Sequence, residues 1–157
     1  MPWRKTDNVG VVHGVWGEDV AVQFLRIHGY EILERNVRPC ASDQRLEIDI
    51  VAYDRLYDTA VFVEVKQHAR RSLFARRLQS VDRHKKQLLR RACKCWLLKQ
   101  RWRSSYRFDV IEVFGEPYSR TRAEIDHLPN VRLFERPGRF VDWKDANSQS
   151  NRQEETL

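Results

Sequence analysis

Glu47-Ile48-Asp49-Ile50-Val51-Ala52 and, after a turn, Val61-Phe62-Val63-Glu64-Val65-Lys66 decide how this chain is read. Both runs are apolar at nearly every position except where Asp49 interrupts one and Glu64 and Lys66 interrupt the other, the pattern of central strands covered on both faces. Residues two apart on a strand share a face at a spacing of roughly 6 to 7 Å, so Glu64 and Lys66 point the same way. Pairing the two runs as a hairpin brings Asp49 to that side as well. An exposed sheet face with a cross-strand ion pair is the ordinary explanation for such charges. The apolar flanks argue against it, because charges inside covered strands persist only when paired or metal-bound. Two carboxylates and an ammonium in one place are what a divalent cation and an activated water need.

Working outward, the charge is one-signed next to this hairpin. Between Lys66 and Arg107 the chain carries fifteen Lys and Arg residues and a single acid, Asp82. A solvated helix face normally mixes signs and forms i,i+4 pairs, which this stretch cannot do within itself. With a net charge of +7 and a pI near 9.6, the anionic partner expected first is nucleic acid, ahead of an acidic membrane surface. No run of about 18 apolar residues is present and the first ten residues are polar, so the expectation is a cytoplasmic protein with no membrane partner. Three cysteines, Cys40, Cys93 and Cys95, cannot all pair, and the count suits a reducing compartment. Zinc held by Cys93 and Cys95 with His68 or His84 is disfavoured, because side chains two apart on a helix diverge by roughly 200°.

The remaining periodicities place the hairpin in a single domain. With 157 residues and 41% hydrophobic content, one domain with a real core is the expected size. Trp16, Val20, Ala21, Phe24, Leu25 and Ile27 predict an amphipathic helix over Trp16–His28, ended by Gly29. Glu18 lies at the edge of its apolar stripe, where it is either an accessory site residue or an acid favoured by the helix dipole. Glu31–Val37 reads as a strand, Val81–Lys99 as a second helix and Arg107–Phe114 as a further strand, with Ile125–Phe134 able to supply a last short one. Lys85 falls on the inward stripe of the second helix, either snorkelling or reaching phosphate or the site. Asp109 reads as structural, pairing with neighbours of Arg107 or with Arg38. Trp102 and Tyr106, among arginines, either stack on bases or shield the helix end. The expected fold is α/β, a mixed central sheet flanked by helices in the order α-β-β-β-α-β. Residues 14–134 form the domain in this reading, after a flexible 1–13 and before a polar, disordered tail over 135–157.

Gly17-Glu18, Arg35-Asn36-Val37-Arg38, Glu47-Ile48-Asp49, Val61 to Lys66 and Arg107-Phe108-Asp109-Val110 occur in an order that resembles the YraN-like family of predicted endonucleases, over about Gly14 to Phe134. The resemblance implies a restriction-endonuclease-like fold similar to that of archaeal Holliday-junction resolvases. It implies that Asp49 and Glu64 are metal ligands, that Lys66 orients or deprotonates the attacking water, and that Glu18 is an accessory acid. Leu46 stands where the family usually has Gly, Gln67-His68 stand where Thr-Arg is usual, and the loop from Pro39 to Arg45 is longer.

The reading is a metal-dependent endonuclease acting on DNA, branched or flapped forms being implied by the resolvase resemblance. Asp49, Glu64 and the backbone carbonyl of Val65 are expected to hold Mg²⁺ or Mn²⁺. Arg38, Arg70, Arg71, Arg83, Lys85, Lys86, Arg90 and Arg91 are expected to meet the nucleic-acid backbone. A homodimer is in keeping with resolvase-like enzymes that cut two strands. The alternative is a non-catalytic nucleic-acid-binding module on the same scaffold, favoured by Leu46, Gln67 and His68.

Overall fold

A computed structural model describes residues 7–71 and 83–134. Five strands form one sheet in the order β1-β2-β3-β4-β5: β1 (Tyr30–Val37), β2 (Ile48–Asp54), β3 (Thr59–His68), β4 (Ser105–Phe114) and β5 (Glu124–Leu128). Neighbours run antiparallel except β3 and β4, which are parallel and are joined through helix α2 (Arg83–Lys99). Helix α1 (Asp7–Ile27) precedes the sheet. The architecture is thus the expected single α/β domain with a mixed sheet, compatible with a restriction-endonuclease-like fold, and the acidic hairpin is β2–β3 with β3 at the centre.

Alternation along the central strands sends successive side chains to opposite layers. Val61 and Val63 of β3 join Ile50, Ala52, Ile111 and Val113 in a core covered by Ala21, Val22 and Leu25 of α1. Ala60 and Phe62 face the other way, into a core closed by Leu89, Ala92, Cys93, Trp96 and Leu97 of α2. Buried on both faces, β2 and β3 have the near-continuous apolar composition that their position demands. Glu64 and Lys66 therefore lie on the α2 side, continuing the row of Ala60 and Phe62 beyond the edge of the core.

The first helix begins at Asp7 rather than at Trp16. Gly10, Val11, Val12, Gly14 and Val15 are poor helix formers, so local propensity hides a segment that is nonetheless helical. The last strand, Glu124–Leu128, is shorter than the span Ile125–Phe134, and Leu133 and Phe134 instead close the α2-side core. Val81 and residues 135–157 lie outside the described residues. A bulge between Ile32 and Glu34 in β1 re-aims Glu34, whose carboxylate accepts hydrogen bonds from Trp96 Nε1 (2.8 Å) and Gln100 (3.3 Å) and ties the edge strand to α2.

Cys40 and Cys95 form a disulfide between the loop after β1 and α2, across 55 positions of sequence, and Cys93 is free and buried. The three do not all pair, as their number requires, but the one disulfide runs against the reducing compartment that the count suggested. Cys40 sits in a loop and Cys95 in a helix, so only the docking of α2 on the sheet makes them neighbours.

Candidate active site

The hairpin ladder stops at Ile50↔Val63. Beyond it the next side chain of β2, Asp49, takes over the role of a backbone acceptor: its Oδ2 accepts the Val65 amide at 2.8 Å. The strands open here, and Glu64, 6% exposed, occupies the mouth. Burial and the adjacent Glu64 carboxylate push the Asp49 carboxyl up to about 7, against the pull of the Val65 amide and Lys85, with Glu18 adding to the push. Two carboxylates crowded together in this way, Glu64 buried and Asp49 partly so, are stable as a charged pair only with cations beside them.

One such cation comes from α2. The Lys85 ammonium donates to Glu64 Oε1. Lys85 lies four residues before Leu89, so it extends the buried stripe of Leu89, Cys93 and Trp96 past the end of the core and over the sheet. Lys66 is the second cation. It is half-buried, and its ammonium is held below the usual lysine range by burial and by Lys85, with Glu64 and Glu112 opposing. Asp49, Glu64, Lys66 and Lys85 are therefore brought into one electrostatic cluster. The group of Val65 that touches Asp49 is its amide.

Glu18 reaches the fringe of the cluster from the other side of the sheet. Asn36 Nδ2 donates to its Oε2 at 2.9 Å and Arg35 lies 3.7 Å away. Gly17 is what permits this approach: a Cβ there would meet the Gln67 Cβ at 2.9 Å, too close for any L side chain without movement of β3. Gln67 in turn donates to the Gly115 carbonyl at 2.7 Å, and Leu46 is 1% exposed in the α2-side core. Two of the departures from the family pattern are thus absorbed by packing.

The basic residues divide into two sets. Arg83, Lys86 and Arg90, with Gln87, line a concavity on the stretch of α2 that carries Lys85. Arg90 also donates to the Leu133 carbonyl, while Arg70 and Arg91 are exposed. By contrast, Arg38 is engaged by Glu47 (2.7 Å), and Arg71 is held by Asp126 (2.7 Å) and Glu124 (3.0 Å) while lying over the Phe114 ring. These two already have acidic partners, although both side chains keep solvent contact.

Sequence reading missed Glu112. It is 2% exposed, lies opposite Lys66 in the β3–β4 register and is 3.5 Å from His68 Nε2. The signal was present in Val110-Ile111-Glu112-Val113-Phe114, an acid inside an apolar strand like Glu64 itself. Asp109 is structural, as expected, but its partners are Arg107 itself, His127 and the Asn130 amide rather than Arg38.

Among the described residues no group of three or more His, Cys, Asp or Glu side chains is arranged to hold a metal ion. The donor set nevertheless suits Mg²⁺, which characteristically keeps several waters and binds through one or two carboxylates together with substrate phosphate. No helix among the described residues is long and apolar enough to cross a membrane.

Residues 17–113, the stretch that contains every member of this cluster, match the model of a family described as "Uncharacterised protein family UPF0102". A UPF0102 protein of Geobacter metallireducens is 41% identical over 119 residues, covering 75% of this chain and 89% of the relative. One from Nocardia farcinica is 40% identical over 121 residues, covering 75% and 87%, and one from Caldicellulosiruptor saccharolyticus is 42% identical over 100 residues, covering 62% and 78%. With its sheet, its hairpin motifs and these relatives in agreement, the chain belongs to UPF0102, the YraN-like family whose residues it carries.

Proposed function

We propose that this protein is a metal-dependent endonuclease-like protein acting on DNA. The observation that supports the reading most is the opening of the β2–β3 ladder, which sets Asp49, Glu64 and Lys66 around one mouth with Lys85 reaching in. Asp49 and Glu64 would hold Mg²⁺ or Mn²⁺, and the ion when bound would polarise a phosphate and acidify a water. The chain's own groups do the rest. Lys66, half-buried with a lowered pKa, is suited to orient the attacking water, to take its proton, or to stabilise charge on the phosphate. Lys85 keeps Glu64 in place, and Arg83, Lys86 and Arg90 offer the adjoining concavity to the sugar-phosphate backbone, which they would grip without reading sequence.

A second reading, a binding module on the same scaffold, is favoured by one observation: Lys85 already neutralises Glu64, the place a cation would take. Incubating the protein with branched, flapped, single-stranded and duplex DNA in Mn²⁺ separates the two on a gel. The expected outcome is cutting by the wild type and a loss of roughly a hundredfold or more in Lys66→Ala, with Mn²⁺ binding by calorimetry retained. DNA binding with neither metal binding nor cleavage would leave the binding module standing.

A further inference from the structure

The loop from Gly115 to Ala123 carries a surface that the site just described does not use. Tyr118 is 96% exposed, and its backbone sits at φ 67, a conformation that glycine would adopt more cheaply. The fold gains nothing from this ring. The loop around it is nonetheless firmly set: Gly115 donates to the His68 carbonyl (2.8 Å), Ser119 donates to the Glu116 carbonyl (3.3 Å), and the Thr121 amide donates to Ser119 Oγ (3.2 Å). Beneath it, Val12, Val15, Trp16 and Pro117, with Asp19 as the one charged member, line a hollow with Tyr118, of about 470 Å³. Val15 is 52% exposed and Val12 42%. Arg120 and Arg122 stand exposed on the same loop, and no ion pair or hydrogen bond engages either among the described residues. Of the acids nearby, Asp19 is committed to Arg35 (2.7 Å), and Glu116 is exposed.

We infer that this loop is a stacking site for an unpaired nucleobase, Tyr118 supplying the ring face and Arg120 and Arg122 the contacts to the flanking phosphates. An apolar floor, a presented aromatic ring and paired free guanidiniums are the elements by which proteins hold single-stranded nucleic acid. Position favours the same strand that meets the hairpin. Gly115 is bonded directly to His68, and Lys66 lies two residues before His68 on β3, roughly 7 Å away. Tyr118 follows three residues after Gly115, at most about 10 Å of chain. The hollow lies against α1 and the mouth opens on the α2 side, so a strand splayed at the mouth would round the C-terminal end of β3, where Gly115 meets His68, to reach the ring. The inference rests on the proposed nucleic-acid reading and narrows its substrate to DNA with an unpaired segment.

The test uses the full chain in EDTA, with fluorescent oligothymidylate, a blunt duplex and a flapped duplex, each read by anisotropy. Tyr118→Ala should weaken oligothymidylate and flap binding by roughly 5- to 100-fold while leaving the blunt duplex within about twofold, and Tyr118→Trp should restore it. Arg120→Ala with Arg122→Ala should lower the single-strand affinity and flatten its salt dependence. Equal affinities of wild type and Tyr118→Ala for the flap would overturn this inference alone. A wild type that binds none of the three would overturn the proposed function with it. Conversion of a wild-type dimer to a monomer by Tyr118→Ala, seen in sedimentation, would assign the face to self-association instead.

Discussion

Asp49→Asn is expected to raise the thermal midpoint of the metal-free protein at pH 8 by several degrees, up to about 10 °C, and to change it little at pH 4. The Asp49 carboxyl is pushed from 3.8 up to about 7, chiefly by burial and then by Glu64. A carboxyl raised on folding is favoured in its neutral form, so the native state binds more protons than the unfolded chain between pH 3.8 and 7. Stability contributed at this position is therefore present at low pH, falls as pH rises through that window, and is fully lost above about 7. At 1.36 kcal/mol per pH unit the window corresponds to something on the order of 4 kcal/mol, an upper bound for the gain from asparagine, which still accepts the Val65 amide. Mn²⁺ should invert the ranking, stabilising the wild type and leaving Asp49→Asn unmoved. Melting curves of both proteins from pH 4 to 8, with and without Mn²⁺, check both halves. A gap between the two that does not vary with pH would show that Asp49 is not crowded.

Asp109→Ala is expected to be the most damaging single change in the domain, lowering the midpoint by roughly 10 to 20 °C. Asp109 is fully buried on the α1 side of β4. Its Oδ1 accepts from Arg107 Nε (3.0 Å) and from the Asn130 amide (2.8 Å), and its Oδ2 accepts from His127 Nε2 (2.8 Å). Arg107 extends the network to Asp54 (3.0 Å) and the Tyr30 hydroxyl (2.9 Å), joining β1, β2, β4 and β5. Truncation strands a half-buried guanidinium, an imidazole and an amide, a loss of about 3 to 5 kcal/mol, against a total stability of about 5 to 15. Asp109→Asn keeps the acceptor for Asn130 and should cost clearly less. Chemical denaturation of the wild type and both variants decides the matter, and an Asp109→Ala protein as stable as the wild type would mean that the carboxylate's charge and bonds contribute little.

How far the chain could be read in advance depended on whether the signal was local. The central strands announced themselves, because burial on both faces writes a continuous apolar run, and the charges interrupting it marked Asp49, Glu64 and Lys66. Lys85 was legible too, as a cation on an inward stripe. What stayed hidden was pairing over distance. The basic run from Lys66 to Arg107 has almost no acids of its own, yet Arg71 finds Glu124 and Asp126, and Lys85 finds Glu64. A one-signed stretch of sequence is not a one-signed surface once other strands are packed beside it. The disulfide and the Glu34–Trp96 bond were hidden for the same reason.

The lone parallel pairing, β3 with β4, also sets an order in time. From α1 to His68 each strand meets the one before it across a short connection, whereas β4 meets β3 only after the whole of residues 69–104 has been laid down. Closing that longer loop is the slower event. A chain caught midway, or still emerging during synthesis, would have Asp49 and Glu64 assembled with no Lys85 beside them, one long face of Phe62 and its neighbours bare, and the edge of β3 unpaired. Such an edge invites other strands. Pulse-labelled hydrogen exchange during refolding should accordingly protect the amides of β2 before those of β4, and simultaneous protection would refute the order. The helix that completes the site covers the bare face, and the strand that follows it closes the open edge, so the two together end the chain's most aggregation-prone moment.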